Sequence, residues 1–237
     1  MMNEGNRIRI LGIIPARGGS KGLPRKNIID LCGKPLIAHA IQAAQEATLL
    51  DAFIVSTDDE EIQNISKAYG ADVPFLRPGE LATDGARDNG FLLHALEWVA
   101  RERGWNPEFV VLLPPTSPSR NGNDIDNAIR LILDTGASSV RTAVHPTHFN
   151  PYKMWVENGE DGKISPLHPT GSLGIPRQEM PRWYMPVGIA YVMRADIVRA
   201  GGLWGNDVRV LPIPIERYTD IDEMKDLEEA AAILSHR

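Results

Sequence analysis

The residues best suited to chemistry sit first in one short stretch, IIPARGGSKGLPRKN, spanning residues 13–27. Four cations, Arg17, Lys21, Arg25 and Lys26, stand on a small-residue loop that follows an apolar run. Paired glycines, Gly18 and Gly19, let backbone approach a ligand closely, and the flanking Arg and Lys neutralise negative charge. GGSKG has the wrong spacing for a Walker loop, and the dinucleotide pattern G-x-G-x-x-G is absent. The plain alternative is a solvated basic loop, since exposed Lys and Arg are common. The double glycine, the cation density and the preceding strand favour phosphate binding, and a triphosphate is a ligand of matching charge. A second group, Asp220 and Asp222, opens the terminal helical pattern TDIDEMKDLEEA. Two residues apart, they share one side of an extended segment. Aspartate at a helix start also serves as a cap and complements the helix dipole, which on spacing alone is the better reading of Asp222.

The rest of the chain limits what that loop can bind. Its 237 residues suffice for one large α/β domain with a modest insertion. The net charge of −6 excludes a general binder of nucleic acid or anionic membrane, both of which rely on attraction to phosphate over a wide surface. A local basic cluster in an acidic chain points to a small anionic ligand. Cys32 is the single cysteine, so no internal disulfide can form and a reducing compartment is expected. The first apolar run ends at Pro15, too soon for a signal-peptide core, and no stretch is long enough to span a bilayer. A cytoplasmic location is the expectation.

The positioning elements follow from periodicity. Ile8 to Ile14, Ala52 to Ser56, Phe109 to Leu113 and Ala137 to Val144 read as strands. Helical patterns fill the gaps over 36–47, from Asp59 to Gly70, over 88–103 and over 124–133. Thr57, Asp58, Asp59 and Glu60 suggest a capping box. This alternation predicts a doubly wound, Rossmann-like α/β fold, mainly parallel, with helices on both faces and ligands beyond the strands' carboxyl ends. The basic loop and PPTSPSR each follow a strand and belong on that rim. Over 145–186 the texture changes to turns, prolines and aromatics, which marks an inserted lid or dimerisation region within the single domain. Strand character resumes over 188–193 and 208–215, and a helix from Asp222 closes the chain.

IIPARGGSKGLPRKN followed by LCGKPLIAHAI resembles the signature of the acylneuraminate cytidylyltransferases, the CMP-sialic acid synthetase family. The resemblance continues in VSTDDEEIQNISKAYGADVPFLRPGELATD, LLPPTSPSR, NPYKM, IPRQEMP and YTDIDEMKDLEEA, in order along nearly the whole chain. It implies transfer of CMP from CTP to the anomeric hydroxyl of a 2-keto-3-deoxy sugar acid, with release of pyrophosphate. It assigns nucleotide binding to Ala16, Arg17, Gly18, Gly19, Ser20, Lys21, Lys26 and Asn27, and cytosine reading to Arg77 and Thr83. Arg17, Lys21, Asp220 and Asp222 become catalytic, with Asp220 and Asp222 also ligating Mg²⁺. Asp220 is a candidate acceptor of the sugar hydroxyl proton, and a metal-bound water or hydroxide is the alternative. Lys153 and Arg177 fall to the sugar carboxylate, and a homodimer is implied. Taken without the resemblance, Arg77 reads equally as a surface ion pair and Lys153 as a surface residue.

Three exchanges bear on the sugar. Pro114 stands where the family has a glutamine, and Met185 and Val187 stand where it has polar residues. Proline offers no donor, so the expected acceptor is a nonulosonic acid other than N-acetylneuraminate. The histidines show no zinc spacing, Trp155, Trp183 and Tyr184 suit packing or a subunit interface, and Cys32 has no base partner. Two other readings stay open: a nucleotidyltransferase using another nucleotide or a sugar phosphate, and a non-catalytic nucleotide-binding protein.

Overall fold

Residues Ile10–Pro15 form β1, whose side chains alternate between two apolar clusters. Ile10 and Ile14 enter one cluster and Leu11 and Ile13 the other, so the strand is buried on both faces. Each such side chain, fully removed from water, contributes about 1.5–3 kcal/mol. Gly12 has a different reason for being there: a Cβ would lie 2.8 Å from the Cβ of Phe53 on the neighbouring strand. The computed structural model describes residues 8–20, 22–83, 85, 87–146, 149–159, 161–168 and 176–235, with backbone alone at 88 and 177.

A small hairpin of β2 (Asp30–Leu31) and β3 (Lys34–Pro35) leads into α1 (Leu36–Glu46). Then follow β4 (Ala52–Ser56), α2 (Glu60–Ala68), α3 (Asp88–Arg103), β5 (Phe109–Leu112), α4 (Gly122–Thr135) and β6 (Ser139–Val144). A separate hairpin, β7 (Trp155–Glu157) with β8 (Ile164–Pro166), precedes β9 (Met185–Arg194), α5 (Ala195–Arg199), β10 (Val208–Pro212) and α6 (Met224–Ser235).

Six strands make the central sheet in the order β10-β6-β9-β5-β1-β4. β4, β1 and β5 run parallel, as do β6 and β10, while β9 is antiparallel to both of its neighbours. Ile37 and Ile41 of α1, Ile62 of α2 and Ile125, Ile129 and Ile132 of α4 cover the face that carries Ile14. Leu92, Leu96 and Val99 of α3 and Val198 of α5 cover the other. The expected doubly wound α/β sheet is therefore present. Because β1, β4 and β5 are parallel, their carboxyl ends share one rim, where the loops after Pro15, Ser56 and Leu112 meet.

Local details depart from the sequence expectation for identifiable reasons. Asp59 caps α2 by accepting the Ile62 amide at 2.9 Å, but the residue at that third position is apolar, so no box forms. The box occurs instead on α4, between Asn121 and Asp124, and starts that helix at Gly122. β9 begins at Met185 because Val144 and Ala143 pair with Met185 and Pro186, across a register shift between Arg141 and Ala143. α6 starts at Met224: Asp226 Oδ2 accepts the amides of Asp222 and Glu223 at 2.9 and 2.8 Å. The capping carboxylate is thus Asp226, and the Asp222 side chain remains available for another partner.

The turn between β2 and β3 holds Cys32 at φ 55° and Gly33 at φ 78°. Left-handed backbone is unfavourable for cysteine and favourable for asparagine or glycine, and Asn-Gly is the preferred pair for this two-residue hairpin turn. Cys32→Asn is therefore expected to stabilise the protein by about 1 kcal/mol. Urea unfolding of both forms would show the midpoint rising with an unchanged slope.

Candidate active site

The basic loop is shaped by contacts that divide its cations among different tasks. Ala16 is buried, and its amide donates to the Ser56 carbonyl at 3.0 Å, which continues the β1–β4 register into the loop. The Gly18 amide donates to Asp58 Oδ1 at 3.0 Å. A side chain on Gly18 is barred by Asp59, whose Oδ2 would lie 2.6 Å from a Cβ there. Gly19 is exposed with open space beside it, and Ser20 is half-buried. Asn27 is buried and donates from Nδ2 to the Arg17 carbonyl at 2.9 Å, so it braces the loop from below as well as lining the cleft. Lys21 lies outside the described residues.

Arg25 is occupied by neighbouring acids. Its guanidinium pairs with Asp59 and Glu61, and the Asp59 hydrogen bond holds that carboxyl below the usual aspartate range while raising the Arg25 pKa. Lys26, by contrast, reaches across the molecule, its Nζ donating to Asp222 Oδ1 at 2.8 Å. Gly22 makes this contact possible: a Cβ there would stand 2.7 Å from the Asp222 carbonyl oxygen. The sequence positions of the two groups differ by 196, and only the fold brings them together.

The segment carrying the carboxylates is docked onto the loop that follows β5. Arg217 donates to both carboxylate oxygens of Asp124 and to the Ser119 carbonyl, and Ser119 Oγ donates back to the Arg217 carbonyl at 2.6 Å. The Ile221 amide donates to the Thr116 carbonyl at 3.0 Å. Ile221 itself is fully buried with Leu23, Leu31, Leu36 and Ala230. Asp220 is thereby set beside Thr116 on the rim. Although its side chain is open to solvent, the protein packed around it pushes its pKa above the usual aspartate value. A hydrogen bond with the Thr116 side chain and the charge of Lys26 oppose the rise, while Asp222 and Asp226 add to it.

Between these elements lies a cleft of about 350 Å³ lined by Pro15, Arg17, Lys26, Asn27, Arg77, Leu81, Thr83, Phe91, Leu112, Pro114, Pro115, Thr116 and Tyr191. It collects five of the residues singled out from the sequence: Arg17, Lys26, Asn27, Arg77 and Thr83. Arg77 is 5% exposed, its guanidinium lies over the Phe91 ring at 5.3 Å, and its amide donates to the Thr57 carbonyl at 2.7 Å. One end of the cleft therefore combines an apolar wall (Leu81, Phe91) with a buried cation and a hydroxyl, which suits a small planar base with a polar edge. The same cleft carries the loop cations Arg17 and Lys26, and Lys26 links it to Asp222.

The remaining candidates stand elsewhere. Lys153 ends a short 3-10 turn, Pro151–Lys153, on the exposed surface and outside the cleft wall. Arg177 opens another such turn, Arg177–Glu179, and its side chain lies outside the described residues. Of the exchanges expected to alter sugar choice, Pro114 does line the cleft. Val187 is buried instead with Val144, Ile189 and Ile213, and Met185 packs on the same cluster. These two apolar residues are explained by packing.

Sequence reasoning missed Arg120. Fully enclosed, it donates to the carbonyls of Pro114, Gly188 and Ile189 and so joins the loop after β5 to the irregular part of β9. Burial pulls its pKa down to about 9, opposed by nearby Asp124. The pattern PPTSPSR contained it, but nothing in the sequence says which carbonyls a register shift will turn toward it.

Among the described residues no group of three or more His, Cys, Asp and Glu forms a ready metal cage. A pair of hard-oxygen carboxylates beside a cationic loop fits Mg²⁺, which retains waters and shares its coordination with substrate phosphates. No helix of the described residues is long and apolar enough to cross a membrane.

A family profile described as Cytidylyltransferase matches residues 11–152. The chain is 42% identical over 222 residues to the pseudaminic acid cytidylyltransferase of Campylobacter jejuni, covering 93% of this chain and 94% of that one. It is 45% identical over 125 residues to the N-acylneuraminate cytidylyltransferase of Escherichia coli; that match covers 53% of this chain and 28% of the relative's length. In fold it is similar to a CMP:2-keto-3-deoxy-manno-octonic acid synthetase solved in complex with CTP, with TM-score 0.71 and 18% identity over 96% of this chain and 99% of that one.

Gly22 tests the junction directly. Gly22→Ala forces the Asp222 backbone away and separates Lys26 from Asp222. Binding of a nucleoside triphosphate in the presence of Mg²⁺ should weaken about tenfold, the scale of one lost charge-assisted contact. Calorimetry would read the affinity, with circular dichroism and melting showing an intact fold.

Proposed function

The chain belongs to the cytidylyltransferase family, and on that premise we propose that it transfers CMP from CTP to the anomeric hydroxyl of a nonulosonic acid. The observation that carries this reading is a single cleft holding Arg17, Lys26, Asn27, Arg77 and Thr83, with Asp222 bound to Lys26 at its edge. Arg77 and Thr83 take the cytosine edge, against the apolar wall of Leu81 and Phe91. Arg17, Lys26 and the loop around Gly19 and Ser20 take the triphosphate, joined by Lys21. The anomeric oxygen bonds to the α-phosphorus as the bond from that phosphorus to the bridging oxygen breaks. The electron pair leaves with pyrophosphate, and the hydroxyl proton passes to a base.

Asp220 is that base in this reading, supported by its place beside Thr116 and by a pKa raised by its surroundings. Asp220 and Asp222 would also hold Mg²⁺, which when bound draws charge from the departing pyrophosphate. Lys26, with three ammonium hydrogens, keeps Asp222 at the loop while it contacts phosphate. The name of the Campylobacter jejuni relative supports a nonulosonic acid as acceptor. Pro114 supports an acid other than N-acetylneuraminate, because it offers that end of the cleft no side-chain hydrogen bond.

Pyrophosphate release with CTP and Mg²⁺ is the decisive assay, run over octulosonate, N-acetylneuraminate, its deaminated form, legionaminate and pseudaminate. Turnover on a nine-carbon acid is expected, abolished by EDTA and slowed by about 10²–10⁴-fold in Asp220→Asn. Faster turnover with another nucleotide would overturn the cytidylyl reading. CTP binding without turnover on any acid would favour a non-catalytic nucleotide-binding protein.

A homodimer completes the proposal. Phe149, Trp155, Ile164 and Leu167 are 62%, 49%, 59% and 49% exposed on or beside the β7–β8 hairpin, and a second copy of the chain is the partner we assign to that apolar surface. Lys153, close by, and Arg177 would then serve the sugar carboxylate of the adjoining subunit. Ile164→Glu should convert the dimer to monomer in light scattering and lower turnover; a monomeric, fully active native protein would refute this arrangement. The free, exposed Cys32 is consistent with a cytoplasmic location.

A further inference from the structure

Asp58 has no part in the mechanism above, yet it contacts both the basic loop and the cleft-lining Arg77. One oxygen, Oδ1, accepts the Gly18 amide at 3.0 Å and lies 3.8 Å from an Arg77 terminal nitrogen. Arg77 is the buried cation assigned to the base, and Gly18 belongs to the loop whose Arg17 and Lys26 line the same cleft. A guanidinium so enclosed is strongly disfavoured without a counter-charge, and Asp58 supplies one. Gly18 has little freedom to drift, since Asp59 occupies the space that a side chain would fill and is itself fastened to Arg25 and to the Ile62 amide. The same carboxylate therefore sets the position of a phosphate-loop amide and the charge environment of the base-reading cation.

We propose that Asp58 is a positioning residue that couples nucleobase recognition to the shape of the phosphate-binding loop, so that base and triphosphate are bound cooperatively. This rests on the reading of the cleft as a CTP site. A loop held in place favours the orientation of Arg77 through the shared oxygen, and an Arg77 engaged by the base favours the loop in return. Coupling of this kind is reciprocal by linkage.

Two substitutions separate the two contacts. Asp58→Asn keeps an oxygen able to accept the Gly18 amide but removes the charge facing Arg77. Asp58→Ala removes both. Calorimetry on each protein, in Mg²⁺ buffer, would use CTP, UTP and inorganic tripolyphosphate as probes. Asp58→Asn is expected to bind tripolyphosphate within about twofold of the native protein, yet to bind CTP about tenfold more weakly and to discriminate less against UTP. Asp58→Ala is expected to lose about tenfold for tripolyphosphate as well. At saturating CTP, kcat should stay near the native value in Asp58→Asn while KM rises, which a general loss of folded protein would not produce.

Native-like CTP affinity in Asp58→Asn would overturn the proposal. So would an Asp58→Ala that binds tripolyphosphate like the native protein while losing CTP, because Asp58 would then serve Arg77 alone. Should Asp58→Ala fail to fold, a double-mutant cycle of Asp58→Asn with Arg77→Lys carries the test. Independent effects of the two substitutions on CTP affinity would refute the coupling. Failure of the native protein to bind CTP would instead remove the CTP-site reading and this inference together, an outcome distinct from native binding with unaffected Asp58 variants.

Discussion

The site depends on the docking of residues 217–222 onto the loop that follows β5. Without it, Asp220 and Asp222 would belong to a distant, solvated segment and the basic loop would face no carboxylate. Three kinds of interaction hold the dock. Arg217 pairs with Asp124, itself part of the α4 cap; Ile221 is buried among leucines; and a backbone hydrogen bond joins Ile221 to Thr116. Lys26 then spans the remaining gap to Asp222. The contact is an ion pair, but its position follows from burial: an apolar side chain between two aspartates forces both carboxylates outward.

Electrostatic division of labour within the basic loop follows from the same geometry. Arg25 lies nearest the acidic start of α2 and pairs with Asp59 and Glu61, which also fastens the loop to the capped helix. Arg17 and Lys26 line the cleft. A chain with net charge −6 can therefore present a concentrated positive site without being a general polyanion binder. The glycines serve this arrangement through the space they leave. Gly18 admits Asp59 and Gly22 admits the backbone of Asp222, so each marks a place where a distant segment approaches the loop.

Behind the cleft, the register shift between β6 and β9 turns the Gly188 and Ile189 carbonyls toward Arg120. A buried guanidinium with several backbone acceptors makes a rigid joint, since each donor must find an acceptor or incur a desolvation penalty. It fixes the Pro114–Thr116 wall of the cleft relative to the sheet. The strand that carries Tyr191 into the cleft is held by the same joint.

Much was legible in the sequence because it is local. Buried strands alternating with amphipathic helices determined the doubly wound sheet, since period and burial are encoded within each segment. The resemblance carried by the basic loop and RPGELATD singled out Arg17, Lys26, Asn27, Arg77 and Thr83 as candidates, and the fold gathers them into one cleft. Non-local pairing decided the rest. Whether Asp222 caps a helix or meets Lys26 depended on Asp226 taking the cap. Whether Val187 faces a sugar or a core depended on strand register. Arg25 and Lys26 are neighbours of like charge, and only the positions of Asp59 and Asp222 give them different partners. Asp58 looked like part of a helix start until the fold set Gly18 and Arg77 on either side of one oxygen. The sequence by itself determined which elements form and which residue types are available for chemistry. The tertiary structure alone decided their partners, because hydrogen bonds and ion pairs act over a few ångströms and the chain brings those atoms together only on folding.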